Sequence, residues 1–362
     1  MSSSLYIHIP FCHHLCSYCD FSKLLFKESW ASSYLEALFN EIKGYNINKP
    51  LKTIYIGGGT PTSLNKEQLE KLLYFLSPYK NEDTEFTIEA NPEDLKEDKL
   101  LLLKDKGINR LSIGVESSKT KFLRLMERNH TFLEAYEGIK LAKKIGFKRI
   151  SADFIYALPS ETLEEAIEEA KAFLTLDLTH LSAYCLSINP MTKFHNLGYK
   201  ELDEEEAGLQ YEAICRILEE GGFKRYEISN FAKNNDVSRH NLVYWRDEEY
   251  YGAGLGASGY MNKVRYQNTK NLRTYLKGNY CASKEIINQR EELKEFFLTN
   301  LRLVEGFSLT TFEKRFGFPF IKKYESSFNK LSKNGLLKIE NNRLLATNRG
   351  LELLDQILLE LF

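Results

Sequence analysis

The chain lacks any apolar run of about 18 residues or more, so no segment is expected to cross a bilayer as a helix. It also lacks net charge. Its 49 Lys and Arg oppose 50 Asp and Glu, a formal charge of -1, which argues against a globally basic nucleic-acid binder and points to small-molecule work. The opening MSSSLYIHIPF has neither a basic start nor a long apolar core, so no secretory signal is expected and the cytoplasm is the expected location. Cysteine is scarce and unevenly spread: Cys12, Cys16 and Cys19 fall within eight residues, while Cys185, Cys215 and Cys281 are scattered. Six such residues in a reducing compartment do not make a disulfide framework, and the close trio asks for a metal. Repeats, low-complexity tracts and long linkers are missing as well, so the parts of the chain are expected to pack directly on one another.

Hydrophobic residues make up 43% of the 362 and charged residues 27%, enough apolar matter for a large core. Short β-forming segments alternate with longer stretches of helical period, the pattern of repeated β-α units around a parallel sheet. The expected strands are Leu5–Ile9, Thr53–Ile56, Phe86–Glu89, Arg110–Val115, Ile150–Ile155 and Leu181–Leu186. The expected helices are Ser33–Tyr45, Lys66–Tyr79, Lys96–Lys106, Phe132–Ile145, Leu163–Leu176 and Glu204–Glu220. Right-handed crossovers would curl these into an α/β fold, a partial (β/α)6 barrel with its functional loops at the carboxyl ends of the strands. After about Tyr280 the pattern changes to three helices, a hairpin in LLKIENNRLLAT turning at Asn341 and Asn342, and a last helix over Gly350–Leu359. The expected division is therefore 1–280, the barrel with its extension, and 281–362, a small winged-helix-like α+β module. Its charge is mixed and it has no basic recognition helix, so nucleic acid is not an expected partner.

Cys12, Cys16 and Cys19 form C-x3-C-x2-C in the loop after the first strand, with no fourth cysteine nearby. Three soft thiolates would hold a [4Fe-4S] cubane and leave one iron open. The competing arrangement is a structural zinc with His8, His13 or His14 as fourth ligand. Gly57, Gly58, Gly59 and Thr60 follow the second strand, where absent side chains let backbone approach a ligand closely, or where Pro61 merely stiffens a strained turn. Glu89, Glu116 and Asp153 sit at or near the ends of successive strands and are expected to aim into the barrel mouth. Arg239, His240, Asn241 and Tyr244 could line a pocket for a flat tetrapyrrole, or belong to the core.

IHIPFCHHLCSYCDF resembles the cluster loop of radical S-adenosylmethionine (SAM) proteins. Within them it is most similar to the group of oxygen-independent coproporphyrinogen dehydrogenases and HemW-type haem chaperones. The likeness continues in order through IYIGGGTPT, TIEANPE, RLSIGVES, ISADFIYALP, YEISNFA and SRHNLVYW. It implies a [4Fe-4S] cluster on Cys12, Cys16 and Cys19, with SAM on its open iron. It implies SAM contacts at Tyr6, Tyr18, Gly58, Gly59, Thr60, Glu89, Arg128, Asp153 and Cys185. Glu116 takes a further contact position, although the group usually carries Gln there. The dehydrogenases have a longer arm before the cysteines and a fourth cysteine two positions after the third; here the first is residue 12 and that later position is Phe21. The resemblance is thus to the HemW branch, and it implies a chaperone that carries haem as cargo to recipient proteins, membrane proteins among them. Cluster and SAM would then serve stability, homodimer formation or gating. The alternative it leaves open is an enzyme that decarboxylates coproporphyrinogen III to protoporphyrinogen IX.

Overall fold

A computed structural model describes residues 4–362. Six strands, β1 (Ser4–Ile9), β2 (Thr53–Gly58), β3 (Glu85–Ala90), β4 (Arg110–Glu116), β5 (Arg149–Tyr156) and β6 (His180–Cys185), pair in succession and in parallel. All six lie within two residues of their expected bounds. Three strands escaped the sequence pattern because each has only three or four residues: β7 (Lys224–Glu227), β8 (Asn230–Ala232) and β9 (Tyr251–Ala253). The sheet order is β9-β1-β2-β3-β4-β5-β6-β8-β7, with β9 parallel to β1 and β8 antiparallel to β6.

Alternation along the strands decides which side becomes the interior of the curl. Ile7, Ile54, Ile56, Phe86, Ile88, Leu111, Ile113, Ala152 and Leu181 are all buried in the main apolar core, which the outer helices complete. The intervening residues are polar: Tyr6, His8, Tyr55, Thr87, Glu89, Ser112, Asp153 and Ser182. A parallel barrel strand with one polar face marks a lumen that does chemistry rather than one filled only by Val, Ile and Leu.

Of the outer helices, Glu28–Gly44 starts five residues before the expected Ser33 because its apolar stripe reaches back to Ala31. Lys66–Leu76, Phe132–Ile145 and Leu163–Leu174 each begin with a capping box, at Asn65, Thr131 and Thr162. At the amino-terminal end of the barrel, Arg110 is buried and pairs with Asp236, which also accepts from Arg149, while Arg149 reaches Glu85. The helix Arg239–Trp245 closes this end.

A small antiparallel sheet follows, β10 (Ser258–Met261), β11 (Val264–Asn268) and β12 (Cys281–Ile286). Cys281–Ile286 thus hydrogen-bonds to residues on the amino-terminal side of Tyr280. Beyond it, Gln289–Asn300, Leu309–Phe316 and Phe320–Lys333 pack around Phe296, Phe297, Phe307, Phe312 and Phe320, a separate apolar cluster. The hairpin Leu337–Glu340/Arg343–Ala346 turns through Asn341 (φ 47°) and Asn342 (φ 61°), the left-handed pair that a two-residue turn requires. Phe307–Ser308 adds a third strand, and the single last helix expected is instead two, Asn348–Glu352 and Leu354–Leu361.

Asp247, buried, accepts from Arg315 at 2.6 Å and Arg265 at 3.2 Å, tying the barrel's extension to the carboxy-terminal helices. Removing the shared buried carboxylate takes a charge-assisted partner from both guanidinium groups, leaving Glu292 to Arg315 and Glu295 to Arg265. Asp247→Ala is therefore expected to cost about 3 kcal/mol in urea unfolding; a loss within experimental error would show that the pairs are solvent-screened.

Candidate functional site

At the carboxyl ends of β2–β6 a cavity of about 410 Å³ opens. Cys12, Cys16, Tyr18 and Cys19 line it from the loop after β1, and Gly58, Gly59 and Thr60 from the turn after β2. Glu89, Glu116, Asp153 and Cys185 face it from β3 to β6, with Arg128 from the segment after the short helix Thr120–Leu125. All the expected site residues except Tyr6 are brought to this one space. Tyr6 lies deeper, its hydroxyl 3.0 Å from His8 Nδ1, and it does not line the cavity.

The glycine turn is built for close packing. A methyl at Gly57 would sit 2.8 Å from Glu89 Oε1, and one at Gly59 2.8 Å from Cys12 Sγ. Gly58 has φ 127°, a conformation that other residues rarely adopt. Its amide donates to Glu89 Oε2 at 3.0 Å, while the amides of Gly59 and Thr60 donate to Ile9 and Phe11 carbonyls at 2.9 and 2.8 Å. Those amides are therefore not free donors, contrary to the expectation for this turn; the glycines serve to bring the cysteine loop and Glu89 against one another. Gly59→Ala is expected to push Cys12 aside and lower iron and sulfide content after reconstitution, with unchanged content as the contrary result.

Burial pushes the Cys12 thiol up to about 11 and raises that of Cys19, so both favour the protonated thiol until a metal competes for the sulfur. Thiolates on a single zinc lie within about 4 Å of one another. Among the described residues no three His, Cys, Asp or Glu side chains converge that way. The candidate fourth zinc ligand His8 is engaged at both nitrogens, by Tyr6 and by the Ser22 carbonyl at 2.7 Å. Cys12, Cys16 and Cys19 are all free thiols at one mouth.

The charge balance is lopsided. Burial raises Glu116 and Asp153 above their ordinary carboxyl values, the neighbouring carboxylates adding to the effect at Asp153. Burial raises Glu89 to about 7 even though Tyr55 and the Gly58 amide donate to it. Arg128 offsets this from one side: it donates to Asn91 Oδ1 at 3.0 Å, to the Gly114 carbonyl and to Cys16 Sγ at 3.5 Å, and its charge lowers both Glu116 and Asp153. Tyr18 donates to Glu116 Oε1 at 2.9 Å, and Glu116 itself holds a left-handed φ of 66°. Three carboxylates around one guanidinium leave a cavity that favours a ligand carrying positive charge and hydroxyl groups.

Sequence reasoning missed Tyr55, Asn91, Ser112 and Tyr184, which also line the cavity. The signal for Tyr55, Ser112 and Tyr184 was the polar alternation on β2, β4 and β6, and for Asn91 its place directly after β3, two positions beyond Glu89. Of the four residues weighed for a tetrapyrrole pocket, His240 belongs to the packing at the amino-terminal end of the barrel. His240 is buried, both nitrogens engaged by Thr53 and Tyr244 at 2.8 Å, and burial lowers its pKa to about 3.

Comparison with known proteins places this geometry. Residues 6–173 match the radical SAM superfamily and residues 287–353 the HemN C-terminal domain. A protein of Lactococcus lactis named heme chaperone HemW is 38% identical over 360 residues, spanning 97% of this chain and 95% of the relative. The chain belongs to the HemW heme chaperone family. The HemW of Bacillus subtilis is 36% identical over 96% of both chains, and that of Escherichia coli 34% identical over 84% of this chain and 83% of its own. A solved structure of Escherichia coli coproporphyrinogen III oxidase (HemN), described as a radical SAM enzyme, superposes with a TM-score of 0.86. It covers 99% of this chain and 89% of its own at 24% identity, which establishes the shared fold. The Lactococcus lactis and Bacillus subtilis sequences match nearly the whole chain, so that likeness takes in the segments that line the cavity. No helix among the described residues is long and apolar enough to cross a membrane.

Proposed function

We propose that this chain binds haem and delivers it to recipient proteins, using a [4Fe-4S] cluster on Cys12, Cys16 and Cys19 and SAM beside it. The observation that carries the proposal is the joining, in one cavity, of three free thiols with a carboxylate-rich wall, in a chain 38% identical to a heme chaperone over nearly its full length. When bound, the cluster supplies an open iron and a single electron. Glu89, Glu116 and Asp153 would receive the cationic and hydroxyl parts of SAM, Arg128 its carboxylate, and Gly58, Gly59 and Thr60 the methionine end. Tyr18 would hold Glu116 in place, Tyr6 would support the wall through His8, and Cys185 would close the far side. In this proposal 1–280 carries cluster and SAM, while 281–362 braces the barrel and meets partners, in the cytoplasm and as a homodimer. Membrane proteins are among the recipients in this proposal.

Because Glu89 sits near pH 7, a cationic ligand gains its full partner only as that carboxyl ionises. SAM affinity is expected to rise between about pH 6 and pH 8 and to lose that rise in Glu89→Gln, measured by equilibrium dialysis; an equal rise in the variant would exclude Glu89 as the partner. The deciding experiment for the function is anaerobic transfer of haem from the loaded chain to an apo haem protein, run beside an assay for decarboxylation of coproporphyrinogen III. Transfer without decarboxylation supports the chaperone; decarboxylation would make it a haem-synthesis enzyme.

A further inference from the structure

Two cations reach the cysteine loop, and only one has a role so far. Arg128 arrives from the side of Cys16, donating to its Sγ at 3.5 Å. Lys23 lines the same cavity and is half-buried, and its ammonium donates to the Cys19 carbonyl. Among the described residues it forms no ion pair with a carboxylate. Asp20, three positions before it, is engaged instead by the Asn189 side-chain amide at 2.8 Å. A cation without a carboxylate partner, kept partly out of water beside three thiols, has a charge left to act on whatever the thiols hold.

The backbone fixes Lys23 from both sides. The Ser22 carbonyl accepts from His8 Nε2 at 2.7 Å, and the Leu24 amide donates to the Pro10 carbonyl at 2.6 Å. Leu24 and Leu25 then pair in parallel with Phe11 and Cys12, and the Phe26 amide donates to the Cys12 carbonyl at 2.9 Å. The chain leaving the third cysteine thus doubles back beside the first, with Lys23 on the returning stretch. Burial raises the thiols of Cys12 and Cys19, and the Lys23 charge opposes that rise at both. Arg128 by Cys16 and Lys23 by Cys12 and Cys19 therefore flank the thiols from two directions.

An oxidised [4Fe-4S] core of charge two plus, held by three thiolates, carries one net negative charge, and one added electron makes it two. A cation fixed alongside favours the more negative state, and partial burial limits how far salt screens the effect. We propose that Lys23 is a positioning residue for the electron chemistry of the cluster: its ammonium, pinned on the Cys19 carbonyl, raises the cluster's reduction potential. The inference rests on the cluster reading above and goes beyond it, giving a residue outside the cysteines and the SAM contacts control of the redox state. The electron comes from a low-potential one-electron reductant, and no bond is made or broken.

The test is a redox titration of the full chain, reconstituted anaerobically and kept free of SAM, poised with dithionite and dye mediators. Electron paramagnetic resonance of the reduced cluster and visible absorbance give the midpoint. Lys23→Gln keeps a donor for the Cys19 carbonyl and loses the charge. It is expected to lower the ratio of reduced to oxidised cluster about tenfold at a fixed potential, a midpoint shift of about 59 mV for one electron. Lys23→Arg is expected to restore the midpoint, and added salt to narrow the gap between Lys23→Gln and the unmodified chain. If Lys23→Gln takes up less iron and sulfide, the midpoint of the cluster it does hold still decides, because a midpoint is independent of occupancy. Equal midpoints in Lys23→Gln and the unmodified chain would overturn the role of Lys23 and leave the cluster standing. So would a midpoint lowered as far in Lys23→Arg, since charge would then not be what matters. Failure of the unmodified chain to hold iron and sulfide would overturn the cluster reading itself.

Discussion

Cys16→Ser is expected to reduce cluster iron and sulfide to background after anaerobic reconstitution, with loss of the broad visible absorbance. Three cysteines are the whole set of soft ligands in the loop, so no spare thiol can replace one that is lost. Cys185 lines the same cavity, yet it comes from the far strand β6 and serves a different wall. A serine hydroxyl is a harder, less acidic ligand, and iron–sulfur sites select thiolate. Arg128 donates to Cys16 Sγ at 3.5 Å, a contact set by where the loop places the sulfur. Folding should survive the change. Cys16 is only half-buried, and the turn it belongs to is held by backbone bonds from Cys19 to the Cys16 carbonyl and from Ser17 to the Met126 carbonyl. Equal thermal unfolding of the two metal-free proteins would confirm that the ligand alone was removed. Full retention of iron and sulfide in the variant would refute a three-cysteine cluster.

Arg128→Met is expected to destabilise the chain by about 3–5 kcal/mol at pH 8 and by clearly less at pH 5.5, read from urea unfolding. The guanidinium is buried among Glu116, Asp153 and the Cys16 sulfur, and methionine keeps its bulk without its charge. What remains are Glu116 and Asp153, whose folded-state pKa values already lie above their unfolded ones and would rise further without Arg128. For an acid raised on folding, the native state holds the extra proton. Stability is therefore greatest below the unfolded value near pH 4 and falls as the pH climbs through the folded ones. The variant's deficit should grow over the same window as charge develops with nothing to offset it. SAM affinity should fall with it. A deficit of the same size at both pH values would mean that Arg128 acts through its hydrogen bonds to Asn91 and the Gly114 carbonyl rather than through its charge.

The six parallel strands and the helices between them were legible because each carries its own periodicity, and the outer-facing Ile, Leu, Val and Phe residues repeat every second position. The carboxy-terminal hairpin was legible from two consecutive asparagines, the residues that tolerate left-handed backbone most readily. The short strands β7, β8 and β9 were not. Three or four residues hold no readable period, and β8 and β9 find their barrel partners, β6 and β1, dozens of residues or more away. The glycine run shows the same boundary at finer scale: its position after β2 was plain, but its amides proved to be spent on Glu89, Ile9 and Phe11, which only the folded neighbours could reveal.

By itself the sequence determined what depends on neighbours along the chain: the α/β alternation, the C-x3-C-x2-C spacing and the turn residues. Tertiary structure decided what depends on separate segments meeting. It set Arg128 against Cys16 across 112 positions, engaged both nitrogens of His240 with Thr53 and Tyr244, and left Tyr6 behind the cavity wall. The reason is physical. Backbone preference and hydrophobic period act over a few residues, whereas desolvation, charge pairing and side-chain direction are set by whichever strands close around the same space.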